Sequence, residues 1–343
     1  MELRGIDPDA TERWLAENVP GLRSPVTFAL LSGGRSNLTY QVTDADGRVR
    51  ALRRPPTGGV LSTAHDMSRE WRFISALHGT DVPVPEPLAY CADASVTGAE
   101  FYVMGFVDGW VLAEQDSAQP LSPQARRRAG LATVECMAAL HGVDPDAVGL
   151  GDIARRDGYL ERQLRRWQRQ VHQSGAPDLP LLDAVHDALV RNVPEQGSGI
   201  VHGDFRPGNL SFALDGTVLA VFDWELATLG DPLADLGWLL ATWEEPGDEL
   251  PSVTPGPTAE PGFPTRTELV DRYVALSGRD VSDLPYYVAF QRWRSCCISA
   301  GVRARYLAGV MGDDGYVAES RAKDELRQAE VAWQAVRQIG LVP

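Results

Sequence analysis

Three side chains with oxygen donors lie within a short stretch of the sequence: Asp204, Asn209 and Asp223. The first two belong to the run HGDFRPGN, which begins at His202, and four residues separate them. Transfer of a γ-phosphoryl group needs a carboxylate that accepts or orients the proton of an incoming hydroxyl, and oxygen ligands that hold Mg²⁺ on the phosphates. At the Asp-x4-Asn spacing, a loop can turn its Asp toward the acceptor and its Asn toward the metal. We therefore predict that Asp204 is the catalytic base and that Asn209 and Asp223 bind Mg²⁺.

The residues after Asn209 predict a β-hairpin that returns Asp223 to this loop. Residues 210–214 and 218–222 are rich in β-formers, and Asp215-Gly216 between them is a favoured tight turn. The H-x-D-x4-N pattern alone is short and could occur in any polar turn. A second Asp directly after the hairpin favours a kinase-like site.

Three further polar residues near the loop are predicted to have structural roles. His202 is expected to hold the loop in place. Asp231 and Asp235 stand where a helix begins, and caps or loop anchors are more common there than catalytic carboxylates.

A nucleotide clamp is expected in the first part of the chain. The run SGGRSN lies between two predicted strands, and its glycines would let backbone amides approach phosphate oxygens closely. It matches neither G-x-G-x-x-G nor the P-loop, and a plain hairpin turn would look much the same. Because later elements follow in the order of a kinase, we predict nucleotide contacts at Gly33, Gly34, Ser36 and Asn37.

The third predicted strand ends in Ala51-Leu52-Arg53-Arg54, where a kinase carries a lysine that contacts phosphates and pairs with a helix glutamate. Side chains alternate along a strand, so Ala51 and Arg53 share one face. We predict that Ala51 lines an adenine pocket and that Arg53 contacts phosphate with Glu70 as its partner. Arg54 faces the other way and is expected to be a surface charge.

A change from strand-like to helix-like sequence near residue 110 predicts two lobes. Residues 26–31, 38–43, 49–53 and 101–106 are short β-rich runs, and one helix interrupts them. The last run leads into a lobe linker, where Met104, Phe106 and Val107 could bind adenine. Helices dominate from Ser122 onward. We predict an α+β, bilobal, protein-kinase-like fold: residues 1–107 form a nucleotide-clamping lobe with an antiparallel sheet and one main helix, and residues 108–343 form a larger, mostly helical lobe for catalysis and acceptor binding.

A segment with six prolines between residues 245 and 265 cannot form a regular element. We interpret it as a long surface loop that borders the active site.

Composition excludes several classes of partner. The chain has 343 residues and a formal net charge of −15, and no block of Lys or Arg could attract a phosphate backbone. The first residues lack the features of a signal peptide, and nowhere do about 18 apolar residues run together, as a membrane span needs. We therefore expect a cytoplasmic protein that binds a small molecule with a hydroxyl group, and neither nucleic acid nor membrane. The sequence does not set an oligomeric state.

These motifs together resemble the aminoglycoside phosphotransferase and choline kinase-like superfamily, which is similar in fold to protein kinases. The resemblance extends over about residues 31–309 and is carried by GGRSNLTY, ALRRPP, FYVMGFVDG, HGDFRPGN and FDWELATLGDPLADLGW. It is closest to a branch that includes the kinase-like domain fused to some acyl-CoA dehydrogenases. In that branch an LRRPP-like run is usual, whereas the aminoglycoside enzymes proper carry a lysine at the position of Arg53.

The resemblance implies an ATP- and Mg²⁺-dependent phosphotransferase that moves the γ-phosphate to a hydroxyl of a small molecule. It implies the roles already given to Asp204, Asn209 and Asp223, and a nucleotide held by Arg53 with Glu70. The related acyl-CoA-associated kinases act on hydroxyacyl-CoA thioesters, so such a thioester is the expected acceptor.

Two alternatives stay open: an aminoglycoside O-phosphotransferase, and a pseudokinase that binds a nucleotide without transfer. The presence of all three catalytic oxygens argues against the pseudokinase. A protein kinase lacks support, because no D-F-G to A-P-E activation segment follows Asp223.

Overall fold

An antiparallel sheet of five strands forms the first part of the molecule. The computed structural model describes residues 3–32, 37–57, 66–173, 180–249, 251–254, 256–309 and 322–342. The strands are β1 (Thr27–Ser32), β2 (Leu38–Thr43), β3 (Val49–Arg54), β4 (Pro87–Cys91) and β5 (Phe101–Gly105). They lie in the order β1-β2-β3-β5-β4. We did not predict β4, because three prolines at and just before its start are typical of a loop; Pro is nevertheless tolerated in a strand at the edge of a sheet.

Two helices cover the opposite faces of this sheet. Helix α1 (Pro8–Asn18) buries Leu15 against Leu52 and other residues of one face. Helix α2 (Met67–Leu77) buries Phe73 and Ile74 in the cluster that contains Ala51 of the other face. The alternation predicted for β3 is therefore confirmed. Glu70 of α2 is fully buried within this second face.

Seven further helices form most of the rest of the described chain. They are α3 (Pro123–Gly142), α4 (Tyr159–Gln173), α5 (Pro180–Arg191), α6 (Leu233–Thr242), α7 (Arg266–Ser277), α8 (Leu284–Leu307) and α9 (Ala322–Gln338). Ser122 caps α3 by accepting from the backbone N–H of Ala125 at 3.1 Å, as its sequence position predicted. Every residue of α6 is buried, so this helix is the centre of the helical core. The predicted α+β fold, with an antiparallel sheet before a helical part, is confirmed.

Two small sheets lie beside the helices. Strands β6 (Trp110–Val111), β8 (Leu210–Phe212) and β9 (Val218–Val221) form one, and β7 (Gly199–Val201) pairs with β10 (Thr228–Gly230) in the other. The β8–β9 hairpin matches the predicted one. Gly216 in its turn has φ 88°, and a Cβ there would lie 2.2 Å from the carbonyl oxygen of Ala125. Only glycine fits this turn, because the hairpin lies directly on α3.

The proline-rich segment packs against the end of α6 and holds no helix or strand among its described residues. The indole N–H of Trp243 donates to the carbonyl of Pro264 at 3.0 Å, and the backbone N–H of Val253 donates to Ala241. Within the described part of the chain, no helix has both the length and the apolar character that a membrane crossing needs.

Candidate active site

Asp235 of α6 anchors the loop that follows β7 and begins at His202. Its carboxylate accepts from the backbone N–H of His202 at 2.7 Å and of Gly203 at 2.8 Å, and it lies 3.3 Å from Nε2 of His141. Burial disfavours the charged carboxylate, but the hydrogen bonds that it accepts from His141 and from the backbone N–H of His202 outweigh burial and lower the pKa of Asp235. The anchoring role predicted for Asp235 agrees with this position.

His202 connects the loop to the hairpin. Its Nε2 donates to the carbonyl of Phe222 at 2.9 Å, and its Nδ1 accepts from the backbone N–H of Asp204 at 3.2 Å. These two contacts define one tautomer, in which the proton is on Nε2. The ring therefore holds Asp204 and the residue before Asp223 at fixed positions.

Asp204 and Asn209 lie side by side in the loop. The amide Nδ2 of Asn209 donates to Oδ2 of Asp204 at 2.7 Å and to its backbone carbonyl at 2.8 Å. Because both contacts use Nδ2, the amide oxygen of Asn209 remains as the atom that could bind a metal ion. The other oxygen of Asp204, Oδ1, accepts from the indole N–H of Trp238 at 2.5 Å and lies 3.5 Å from Nε of Arg206.

Asp223 directly follows β9 and has an unusual backbone. Its φ of 66° makes it the one non-glycine residue with a positive φ in the described part of the chain. Such a conformation costs free energy and is concentrated at functional sites. The backbone N–H of Phe222 donates to the carbonyl of Asn209 at 2.9 Å, so the strand delivers Asp223 next to the loop.

Arg53 joins Asp223 to the first part of the molecule. Its Nη2 lies 2.5 Å from Oδ1 of Asp223, and its Nε donates to Oε2 of Glu70 at 2.9 Å. Tyr102 also donates to Oε2 of Glu70, and Asn37 donates to Oε1 at 2.7 Å. Burial alone would lower the pKa of Arg53, but the Glu70 and Asp223 carboxylates and the Tyr102 hydroxyl outweigh it and raise that pKa.

Five of the other residues predicted to bind the nucleotide lie in the described part of the chain. Ala51 and Met104 are paired across β3 and β5 and buried, and Phe106 and Val107 follow β5 half-buried. Asn37 is buried and uses its amide to hold Glu70. Gly33, Gly34 and Ser36 lie outside the described residues.

The prediction for Arg54 was right about the direction of its side chain and wrong about its exposure. It faces away from the site as predicted, but it is 3% exposed rather than a surface charge. Its Nη1 donates to the carbonyls of Gly5 and Thr97, the latter at 2.8 Å, and its Nε donates to Pro55 at 3.0 Å. Segments distant in sequence cover this face of β3, and alternation along the strand could not reveal them.

A small pocket opens beside the loop of Asp204. The proline-rich segment forms one wall, and the loop forms the other. The lining residues are Leu112, Arg206, Pro207, Gly208, Thr242, Thr254, Gly256, Pro257 and Thr258. The proline-rich segment therefore lies next to the loop of Asp204.

Comparison with known proteins identifies the family. The sequence profile of the phosphotransferase enzyme family (APH) matches residues 27–264, which contain Arg53, Glu70, Asp204, Asn209 and Asp223. The chain belongs to this family. The resemblance inferred from the sequence is confirmed.

Two kinds of relative of this APH-family chain stand out. Acyl-CoA dehydrogenase family member 11 of Gallus gallus is 35% identical over 319 residues, which are 89% of this chain and 40% of that protein. Family member 10 of Mus musculus is 32% identical over 96% of this chain and 31% of its own length. The chain therefore spans well under half of these curated relatives.

Solved structures agree with the fold. One from Ralstonia eutropha, named only as a candidate aminoglycoside phosphotransferase, has a TM-score of 0.81 and 32% identity, and the match covers 97% of this chain and 98% of that one. Choline kinase from Cryptosporidium parvum has a TM-score of 0.67 at 12% identity over 98% of both chains. The second likeness is one of fold alone.

Three site residues of this APH-family chain were not predicted. Glu225 follows Asp223 by two positions, and carboxylate oxygens of Glu70, Asp223 and Glu225 all lie within 4.8 Å of one another. The D-x-E spacing in FDWE was a usable signal for a second carboxylate close to Asp223. Arg206 and Trp238 contact Asp204 from a loop and a helix, and no spacing rule links Trp238 to it.

Proposed function

We propose that this chain is an ATP- and Mg²⁺-dependent phosphotransferase that moves the γ-phosphate to a hydroxyl of a small molecule. The proposal rests on two neighbouring hydrogen-bonded pairs between the sheet and the helical part. Asn209 donates to Asp204 in one pair, and Arg53 donates to Asp223 in the other. We retain the lobe division proposed from the sequence, in which residues 1–107 clamp the nucleotide.

Asp204 is proposed as the base. A carboxylate has about four lone-pair positions, and the donors from Trp238 and Asn209 use one on each oxygen. A further position can accept the proton of the acceptor hydroxyl, whose oxygen forms the new bond to the γ-phosphorus. The bond from that phosphorus to the bridging oxygen breaks, and its electron pair leaves with ADP.

Asn209 and Asp223 are proposed to hold Mg²⁺, which when bound neutralises charge on the transferring phosphate. One amide oxygen and one carboxylate match the oxygen ligands that this ion prefers, and Glu225 could add another. Oδ1 of Asp223 already accepts from Arg53, whose guanidinium is the proposed phosphate contact. The neighbouring fold of aminoglycoside 2′-phosphotransferase-IIIa, with a TM-score of 0.62, was solved as a GDP complex, which supports a nucleotide in this cleft.

For the acceptor, we propose a hydroxyacyl-CoA. The curated relatives are named as acyl-CoA dehydrogenase family members, so a kinase unit beside such an enzyme would meet thioesters of this class. Arg206 with the threonines of the small pocket offers a cation and hydroxyls for an anionic, partly polar acceptor.

Three arginines of α8 are buried, and we do not assign them to the acceptor site. Arg292 donates to the carbonyl of Pro251, Arg294 to that of Gly203, and Arg303 to Glu325, and all three are buried. They hold the helical part together, so we place acceptor recognition at Arg206 instead.

Assays with ATP and Mg²⁺ test the proposal: a 4-hydroxyacyl-CoA and kanamycin are offered side by side, and products are identified by mass spectrometry. We expect phosphate on the thioester. Turnover of kanamycin alone would move the acceptor to the aminoglycosides and keep the phosphotransferase. ATP binding without transfer to either compound, or to a wider panel of hydroxylated metabolites, would favour the pseudokinase.

A further inference from the structure

Helix α6 reaches the loop of Asp204 through two side chains. Asp235 accepts from the loop backbone, and Trp238, one turn later, donates its indole N–H to Oδ1 of Asp204 at 2.5 Å. Positions i and i+3 share a helix face, so both contacts are made by one rigid surface. Trp238 is 6% exposed, which keeps this hydrogen bond largely away from competing water.

Arg294 of α8 holds the indole of Trp238 in place. Its guanidinium carbon lies 5.2 Å from the ring centroid of Trp238 and 5.3 Å from that of Trp167, so the cation sits between two indole rings. Its Nη1 donates to the carbonyl of Gly203 at 2.9 Å and to Gln291 at 3.0 Å. The residue is 4% exposed, and Nε has no partner among the described residues.

A buried guanidinium whose visible acceptors are a carbonyl and an amide is costly unless something else offsets its charge. Two aromatic faces do so here. The positive charge of Arg294 over the ring of Trp238 also makes the indole N–H of Trp238 a stronger donor toward Asp204.

We infer that Trp238 is a positioning residue for phosphoryl transfer and sets the plane of the Asp204 carboxylate. The inference rests on the proposed function, in which Asp204 is the base. The terminal torsion of an Asp side chain is soft, and one donor does not fix it. Donors from two different elements, Asn209 on Oδ2 and Trp238 on Oδ1, restrict it to one orientation. Arg206, at 3.5 Å and partly exposed, cannot replace the indole.

A matched pair of variants separates positioning from packing. Trp238→Phe keeps an aromatic ring over Arg294 and removes the N–H. Trp167→Phe is the control: it is 5% exposed, stacks on the same guanidinium, and donates its own N–H to Gln163 of its own helix at 3.0 Å. The two substitutions remove equal volumes from the two sides of one cation.

The first measurement is ADP release with ATP and Mg²⁺, with a 4-hydroxyacyl-CoA and also without an acceptor, where water takes the place of the hydroxyl. We expect Trp238→Phe to lower kcat by about ten- to a hundredfold at an almost unchanged KM for ATP. Trp167→Phe should retain kcat. Unchanged kcat in Trp238→Phe, or equal losses in both variants, would overturn the inference.

The second measurement needs no turnover. In ¹⁵N-indole NMR spectra of the whole chain, Asp204→Ala should shift the N–H resonance of Trp238 and leave that of Trp167 in place. A Trp238 resonance that ignores this substitution overturns the inference even if Trp238→Phe does not fold. A wild-type chain that phosphorylates no acceptor would instead contradict the proposed function, while the NMR result still decides on the hydrogen bond.

Discussion

Arg53 and Asp223, 170 residues apart in the chain, form an ion pair in which Nη2 lies 2.5 Å from Oδ1. The same guanidinium pairs with Glu70, so it ties β3, α2 and the turn after β9 together. A Lys ammonium is a compact charge and cannot reproduce the two directions of a guanidinium fork. Arg53, the proposed phosphate contact, is thus paired directly with Asp223, a proposed metal ligand.

Asp204→Ala and Asp223→Asn should each lower the rate of phosphoryl transfer by about a thousandfold or more, because they remove proton handling and metal charge. Melting temperatures measured by circular dichroism should show that both variants remain folded. Asp187→Asn, an exposed carboxylate on α5, serves as the control and should keep the wild-type rate. Near-normal turnover in either site variant would refute the assignment of that residue.

Arg53→Ala and Arg54→Ala should fail in different ways. Loss of Arg53 should weaken ATP binding, measured by calorimetry, because the phosphate contact is removed. Loss of Arg54 should lower the free energy of unfolding by about 1–3 kcal/mol, because the carbonyls of Gly5 and Thr97 lose their donor, while ATP affinity of the folded protein is kept. If both variants bind ATP equally weakly, the assignment of the two faces of β3 is wrong.

Gly216→Ala should destabilise the chain more than Gly247→Ala. Both glycines have φ 88°, but a Cβ at 216 would lie 2.2 Å from the carbonyl of Ala125, whereas a Cβ at 247 meets nothing within 4 Å. The backbone penalty is common to the two variants, about 1 kcal/mol, so the excess loss at 216 in urea unfolding measures the contact between hairpin and α3. Equal losses would mean that the hairpin can move away from the helix without cost.

The charge of Asp235 should make the free energy of unfolding depend on pH. Its pKa is lowered in the folded state, so its charge stabilises the fold above the unfolded value of about 3.9, and this contribution is lost as pH falls through the folded pKa. Unfolding free energies of wild type and Asp235→Asn should therefore differ most near neutral pH and converge below about pH 4. A difference that does not change with pH would show that the charge of Asp235 contributes nothing.

Local spacing in the sequence predicted the core of the candidate site. Asp204 and Asn209 share one loop, and a hairpin with a recognisable turn brings back Asp223, so short-range rules sufficed. Alternation along β3 correctly separated the faces of Arg53 and Arg54. What covers a face is set by segments far away in the chain, and for that reason the burial of Arg54 was missed. The same limit applies to Trp238: an apolar helix predicts burial of an indole but not the acceptor of its N–H.

Helix α6 and the proline-rich segment differ in how many substitutions each can tolerate. The helix is buried along its whole length and holds Asp204 through Asp235 and Trp238, so few substitutions in it are tolerable. The segment that walls the adjacent pocket contributes Thr254 and Thr258 from irregular backbone, where insertions and deletions cost little. In the proposed function, substitutions in this segment should therefore change the preferred acceptor while the position of Asp204 is kept.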